Sequence, residues 1–203
     1  MIAHPLPVLV NAWGRGWALS RGTPAPVETP GGYRVDVGDP GHRVRHVFHT
    51  YDRDALAAVE PAPGTWIKTA GELPPLPGWT YGPPGHLMTI ELREAKTEPP
   101  AGYTLRLVDG DVTAAVIETT EGAHAAHAHI AVTGDFAVID RVETDPAHRR
   151  RSLGRVAVGA LTSRARESGA DTGVLVATDV GRDLYTAMGW RWRSHLPSVF
   201  VGE

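Results

Sequence analysis

The sequence predicts a mixed α+β fold (an α/β mixed sheet) with parallel and antiparallel strands, and three observations carry this reading. His127–Val132 and Phe136–Thr144 are extended runs flanking the Gly-containing turn Thr133-Gly134-Asp135, the pattern of a β-hairpin. Leu153, Val156, Ala157, Ala160, Leu161 and Ala165 then recur at helical spacing, with Arg155, Thr162, Ser163, Arg166 and Glu167 largely opposite. Gly173–Thr178 follows as an apolar run bounded by polar residues, the pattern of a buried strand. A strand, a helix and a buried strand in that order imply a parallel pair with a helical crossover.

The elements follow in chain order. Leu9-Val10-Asn11-Ala12-Trp13 starts a helix through Leu19, although Gly14 and Gly16 lower its intrinsic propensity. Tyr33–Val37 and Arg43–His49 alternate as strands, and Asp52–Val59 suggests a helix. Pro61-Ala62-Pro63-Gly64 and Leu73–Gly78 are turn or loop material. The second also fits a polyproline ligand, but apolar punctuation inside a folded domain suits it better. Thr97-Glu98-Pro99-Pro100 is another break before Tyr103–Val108, where a sheet pattern begins. It divides the chain into an amino-terminal α+β accessory region, residues 1–100, and a second part, residues 101–203. Val112–Thr119 reads as strand or short helix, because Ala, Val and Ile leave the period ambiguous. Gly169 stops the main helix, Asp179–Gly189 gives a short helix ending in Gly, and strands follow through Trp192 and around Ser198–Val201.

Composition narrows the class without naming a reaction. A chain of 203 residues with 42% hydrophobic residues buries a sizeable core, and a net charge of −3 gives no whole-chain footprint for nucleic acid. The absence of cysteine excludes a disulfide framework, a Cys-based zinc site and a thiol acyl-enzyme. Met1–Pro7 lacks a basic region followed by a long apolar core, and no segment has the apolar length of a membrane helix, so a cytoplasmic location without membrane partners is the expectation.

Positive charge is concentrated at Thr144-Asp145-Pro146-Ala147-His148-Arg149-Arg150-Arg151-Ser152-Leu153-Gly154-Arg155, where an extended segment, a Pro turn and an Arg-rich loop run into the helix pattern. The first turn of a helix offers N–H groups without intrahelical acceptors and the positive end of the macrodipole, so this junction is an anion cradle for a phosphate-bearing cofactor. Gly154 lets a ligand approach the backbone, and Ser152 is small enough to cap or hydrogen-bond. His148 beside the arginines reads as a loop or phosphate-side residue.

These residues resemble the coenzyme A loop of the GNAT superfamily of N-acetyltransferases, Gln/Arg-x-x-Gly-x-Gly/Ala. Arg149 takes the Gln/Arg position, Ser152 replaces the first Gly, and Gly154 matches the second. Leu184-Tyr185-x-x-Met188-Gly189-Trp190 looks like the family's Leu-Tyr-x-x-x-Gly-Phe signature. The resemblance implies a GNAT-like acyltransferase fold with Phe136–Thr144 as a central strand splayed from its parallel neighbour, and acetyl-CoA as cosubstrate. It implies that the backbone at Val142, Glu143 and Thr144 pairs with the cofactor arm and that an N–H there polarises the thioester carbonyl. Arg149, Arg150, Arg151, Ser152, Leu153, Gly154 and Arg155 would receive its phosphates. Tyr185 would protonate the departing thiolate, and Thr178 stands where many relatives carry an Asn on the cofactor arm.

Direct attack by an amine also needs a group to remove an ammonium proton. Asp140, Glu143 and Glu118 are the carboxylates best placed by sequence, Asp140 slightly ahead, each competing with a role as surface group or ion-pair partner. Strict alternation puts Asp140 on one strand face with Val142 and Thr144, and Glu143 on the other with Ile139 and Arg141. His127 and His129 share a face near His124, but no further ligand follows at diagnostic spacing, so no metal is expected; polar strand residues or one substrate-facing imidazole fit better, with His129 an alternative proton acceptor. Trp13, Trp17, Trp66 and Trp79 suit core anchoring better than an acceptor pocket.

Two function classes result. One is an N-acetyltransferase moving an acetyl group from acetyl-CoA to a primary amine of a small molecule or peptide, with residues 1–100 shaping the acceptor site. The other is a non-catalytic acyl-CoA-binding or regulatory module. Nucleic acid is not an expected partner, and homodimerisation is left open.

Overall fold

The computed structural model describes residues 4–203; Met1–Ala3, part of the Met1–Pro7 segment from which a missing leader was expected, lie outside the described residues. The backbone groups into two compact units, one of the described residues up to Thr89 with Leu175–Glu203, the other Ile90–Val174. This grouping interleaves along the chain, whereas the Thr97–Pro100 break divides it linearly.

The first unit opens with α1 (Leu6–Arg21), longer at both ends than the pattern suggests and closed by Gly22 in the left-handed region at φ 66°. Gly14, which weakens the helix in isolation, is needed in place: a Cβ there would lie 2.1 Å from the Tyr33 ring. The Tyr33 hydroxyl donates to Val10 O at 3.1 Å. A six-stranded sheet follows in the order β1-β2-β3-β4-β13-β5, comprising Val27–Thr29, Gly32–Asp39, His42–Phe48, Thr65–Thr69, Ser198–Phe200 and Thr80–Tyr81. Its β3–β4 pair is parallel and the others are antiparallel. Short α2 (Arg53–Ala57) is capped by the Asp52 carboxylate, which accepts from Asp54 N and Ala55 N. Phe48, Leu56, Ile67, Leu73 and Val199 form a core cluster against which Trp79 packs. Trp13 and Trp17 are buried, and Trp66 stacks on Phe200 at 4.5 Å between ring centres, so these four tryptophans anchor packing.

Lys68, buried on β4, donates to Leu196 O at 3.0 Å. Burial first, and the nearby Arg45 second, push its pKa from 10.5 down to about 7. The folded protein therefore gives up this proton near pH 7 while the unfolded chain keeps it until about pH 10, so stability rises with pH across that window by at most about 1.4 kcal/mol per unit. Lys68→Met should flatten this rise in urea titrations between pH 7 and 9. An unchanged slope would show that the folded protein keeps the amine protonated.

The second unit contains β7 (Tyr103–Val108), β8 (Val112–Thr119), β9 (His124–Thr133) and β10 (Phe136–Thr144), paired antiparallel in sequence, so the ambiguous Val112–Thr119 run is a strand. Helix α3 (Leu153–Glu167) packs on these four strands and ends at Ser168, with Gly169 at φ 96° beyond it. β11 (Thr172–Ala177) returns parallel to β10, with Phe136 opposite Thr172 and Val138 opposite Val174. β10 pairs with β9 as far as Thr144 opposite Ala126.

The chain re-enters the first unit within β11 and forms α4 (Asp179–Ala187) and β12 (Arg191–His195), which pairs antiparallel with β6 (His86–Glu91). Among the described residues no helix is long and apolar enough to cross a membrane.

Candidate functional site

The cradle is built by one continuous stretch of the second unit. β10 ends at Thr144, and Asp145 N–H is held by Ala125 O of β9 at 2.9 Å. The Asp145 carboxylate then accepts from Ala147 N at 2.8 Å and starts the 3₁₀ turn Pro146–His148. Arg150 and Ser152 follow in the left-handed region at φ 62° and 61°. Such a conformation costs a non-Gly residue roughly 1–2 kcal/mol. Ser152 caps α3 through its backbone alone: Val156 N–H bonds to Ser152 O at 3.0 Å, and the hydroxyl makes no capping bond. The amides of Leu153 and Gly154 precede that first intrahelical bond and lie in the turn where helices receive anions.

Charge here runs against the helix. Arg149, Arg150, Arg151 and Arg155 gather at the positive end of α3, whose first turn holds no acidic residue. Cations in this position oppose the macrodipole. Arg149 donates to Thr144 O at 3.4 Å and Arg151 to the Tyr103 hydroxyl at 2.6 Å, both neutral acceptors. Strained backbone and crowded positive charge coincide at this helix start.

The left-handed Ser152 explains why the loop pattern prefers Gly. Ser152→Gly is expected to raise stability by up to about 1 kcal/mol, strain relief outweighing the added freedom of the unfolded chain, and to keep cofactor affinity. Chemical denaturation with calorimetry checks both. Lost binding in a folded variant would assign the hydroxyl a contact of its own.

The carboxylates are arranged differently from the alternation argument. The register of β10 shifts between Asp140 and Glu143, with Arg141 at φ 51°, so Asp140 pairs with His129 and Glu143 with His127. Directly opposed residues share a face, and the two imidazoles lie two apart on β9. The bulge thus adds a residue and brings Glu143 to the same face as Asp140, correcting the expected separation. Glu118, paired with His124, joins them. His127 Nδ1 lies 3.2 Å from His124 Nε2, and His127 Nε2 lies 4.0 Å from a Glu143 oxygen. Among the described residues, no three His, Asp or Glu side chains form a metal-holding group.

Thr178 and Tyr185 belong to the first unit. The Thr178 hydroxyl accepts from Gly181 N at 3.1 Å and caps α4. A carboxylate oxygen of Asp179, first in that helix, lies 2.7 Å from His86 Nε2; His86 is buried on β6. Tyr185 is 7% exposed and meets Trp190 edge-on at 5.8 Å, with its carbonyl accepting from Trp190 N. The sequence reading missed the Tyr103–His148 and His86–Asp179 contacts. The partners lie 45 and 93 residues apart, so no local signal reveals them. A pocket of about 600 Å³ in the same unit is lined by Tyr51, Glu72, Leu73, Pro84, His195 and Pro197 among others.

A family model described as the acetyltransferase (GNAT) family matches residues 73–190, more than half of the chain. The chain belongs to the GNAT acetyltransferase family. Its structure is similar to that of a GCN5-related N-acetyltransferase from Kribbella flavida, with 19% identity over 96% of both chains and a TM-score of 0.66. It is also similar to a GNAT-family protein from Novosphingobium aromaticivorans, with 15% identity, 95% and 98% coverage and a TM-score of 0.61. A third is a GCN5-related N-acetyltransferase from Sphaerobacter thermophilus, with 13% identity, 96% and 93% coverage and a TM-score of 0.59. At these identities the likeness establishes the GNAT fold across nearly the whole chain. No functionally curated protein matches the sequence.

Proposed function

We propose that the protein is an N-acetyltransferase that moves the acetyl group of acetyl-CoA to a primary amine of a small molecule or peptide in the cytoplasm. The observation that carries this reading is the cradle: first-turn amides of α3, two left-handed loop residues and four arginines at a helix end without an acid. In this reading Arg149–Arg155 receive the phosphates. In this reading β10 splays from β11, as the family resemblance implies, and its Val142–Thr144 backbone holds the pantetheine arm and polarises the thioester carbonyl. Thr178 borders that arm, as the family resemblance implies.

In the reaction the amine nitrogen attacks the thioester carbon, the C–S bond breaks, Tyr185 gives its proton to the sulfur, and Asp140 takes the ammonium proton directly or through water. Glu143, turned to the same face, is the second carboxylate within that surface. Residues 1–100 shape the acceptor site, a role supported by the pocket lined largely by residues 50–85. Calorimetry with acetyl-CoA and CoA, then thiol release over a panel of primary amines, tests the reading. Binding with no turnover for any amine would leave an acyl-CoA-binding module, and no binding would remove both.

A further inference from the structure

The pocket of about 600 Å³ in the first unit has walls tied down by hydrogen bonds. Gly71 N–H goes to His195 O and to Ser194 Oγ, each at 3.0 Å, Ala70 N–H to Phe48 O at 3.1 Å, and Leu196 N–H to Gly85 O at 2.8 Å. The Tyr81 hydroxyl donates to Leu73 O at 2.8 Å. Gly71 stands at φ 95°, a conformation that side chains disfavour, where the chain leaves β4 and presents Glu72. His195 lies directly opposite His86 across β12 and β6, with ring centres 5.3 Å apart, and 5.2 Å from the ring of Trp192. His86 in turn is held by the contact with Asp179. A cavity of this size with fixed walls suits a small molecule.

One wall adjoins the elements assigned to acyl transfer. A Cβ at Gly85 would lie 2.7 Å from Leu196 O and 3.0 Å from Val176 Cγ1, so the Pro84-Gly85 wall abuts the end of β11, from which Thr178 and α4 with Tyr185 follow. The rest of the lining is largely apolar, with Leu73, Pro74 and Pro197 and the ring of Tyr51. Among the described residues that line the pocket, Glu72 is the one Asp, Glu, Lys or Arg, and its carboxylate enters no ion pair or hydrogen bond with another described residue. Lys68, behind the Gly85 wall, is engaged by Leu196 O. A carboxylate beside apolar surface and an aromatic ring selects a cation. That cation is not the reacting nitrogen: attack requires a neutral amine, and a carboxylate next to an ammonium favours its charged form. We propose that the pocket holds the acceptor and selects a primary amine whose apolar body ends in a second, cationic group, with that group paired to Glu72 and the reacting nitrogen at the Gly85 wall. This rests on the acetyltransferase reading above and names its acceptor class.

The test uses three acceptors that share one linear body, hexylamine, aminohexyl-trimethylammonium and aminohexanoate, whose far ends are neutral, cationic and anionic. The quaternary far end cannot itself accept an acetyl group. Wild type should show a KM for the cationic acceptor about fivefold below that for hexylamine at similar kcat, the upper end for a partly exposed ion pair, and the preference should shrink with added salt. Glu72→Gln should bring the ratio close to one, and Glu72→Lys should turn it toward aminohexanoate. Glu72 is exposed, so melting curves of both variants should match wild type. Equal KM values for the three acceptors in wild type, or a preference that survives Glu72→Gln, overturns the assignment. Calorimetry of aminohexyl-trimethylammonium with the protein alone separates the pocket from the reaction. Binding that Glu72→Gln weakens, without turnover of any amine, keeps the cation site and removes the acetyltransferase reading. Turnover of hexylamine without the preference keeps the reaction and removes the site, and neither binding nor turnover removes both.

Discussion

Changing Arg149 and Arg151 together to alanine is expected to weaken acetyl-CoA binding by about tenfold to a few hundredfold, the range of one to two charge-assisted hydrogen bonds. The residual binding should also depend less on salt, because fewer exposed charges remain for ions to screen. Both side chains are exposed at the mouth of α3 and are held by neutral acceptors, Thr144 O and the Tyr103 hydroxyl, so their removal leaves no buried charge behind. Folding should survive. Relief of cationic crowding at the helix end even favours a slightly higher melting temperature without ligand. Calorimetry at two ionic strengths, with melting curves of the free protein, separates the effects. Unchanged affinity and salt slope would remove the cradle assignment, whereas a loss of fold would show that the arginines support the structure.

A stability gain on losing these charges would fit the backbone in the same place. Arg150 and Ser152 hold left-handed conformations that side chains disfavour, and the neighbouring helix start is positive twice over, by dipole and by side chain. Packing of α3 on β7–β10 through Leu153, Val156, Ala157, Ala160 and Leu161 over-determines that start, so the strained loop persists.

The parts of this site that were legible in the sequence are those set by local rules. Helix α3 shows its apolar stripe, the β9–β10 hairpin its Gly turn, and α4 its Gly189 stop. What remained hidden depends on tertiary context. Gly14 and Gly16 argue against α1 only until the Tyr33 ring is seen to occupy the space that a Cβ at Gly14 would need. The relation of Asp140 to Glu143 turns on one inserted residue, because a bulge at Arg141–Val142 reverses the face of everything after it. Arg141 carries no Gly or Pro to mark that irregularity. Tyr103 and His86 act through partners far along the chain, which periodicity does not report.

The largest effect on chemistry is expected at Tyr185. Its hydroxyl, if it donates to the coenzyme A thiolate, stabilises charge that develops only as the C–S bond breaks, so Tyr185→Phe should leave acetyl-CoA affinity intact and slow the chemical step. General acid contributions of about 10²–10⁴-fold bound the loss, and a water reaching the sulfur would make it smaller. The setting suits a substitution that removes one oxygen. Tyr185 is buried against Trp190, and α4 is fixed independently at its start by the Thr178 cap and the His86–Asp179 contact and at its end by backbone bonds to the Tyr185 carbonyl. A phenylalanine ring keeps those contacts, and melting curves should differ little. Single-turnover rates at saturating acetyl-CoA, with an amine found by the thiol-release panel, give the measurement. A rate defect that shrinks as the thiol leaving group is made more acidic, for example with an acyl donor carrying an aryl thiol, would place the lost proton on sulfur. Equal rates at equal stability would make Tyr185 a packing residue and move the search for the acid to another group.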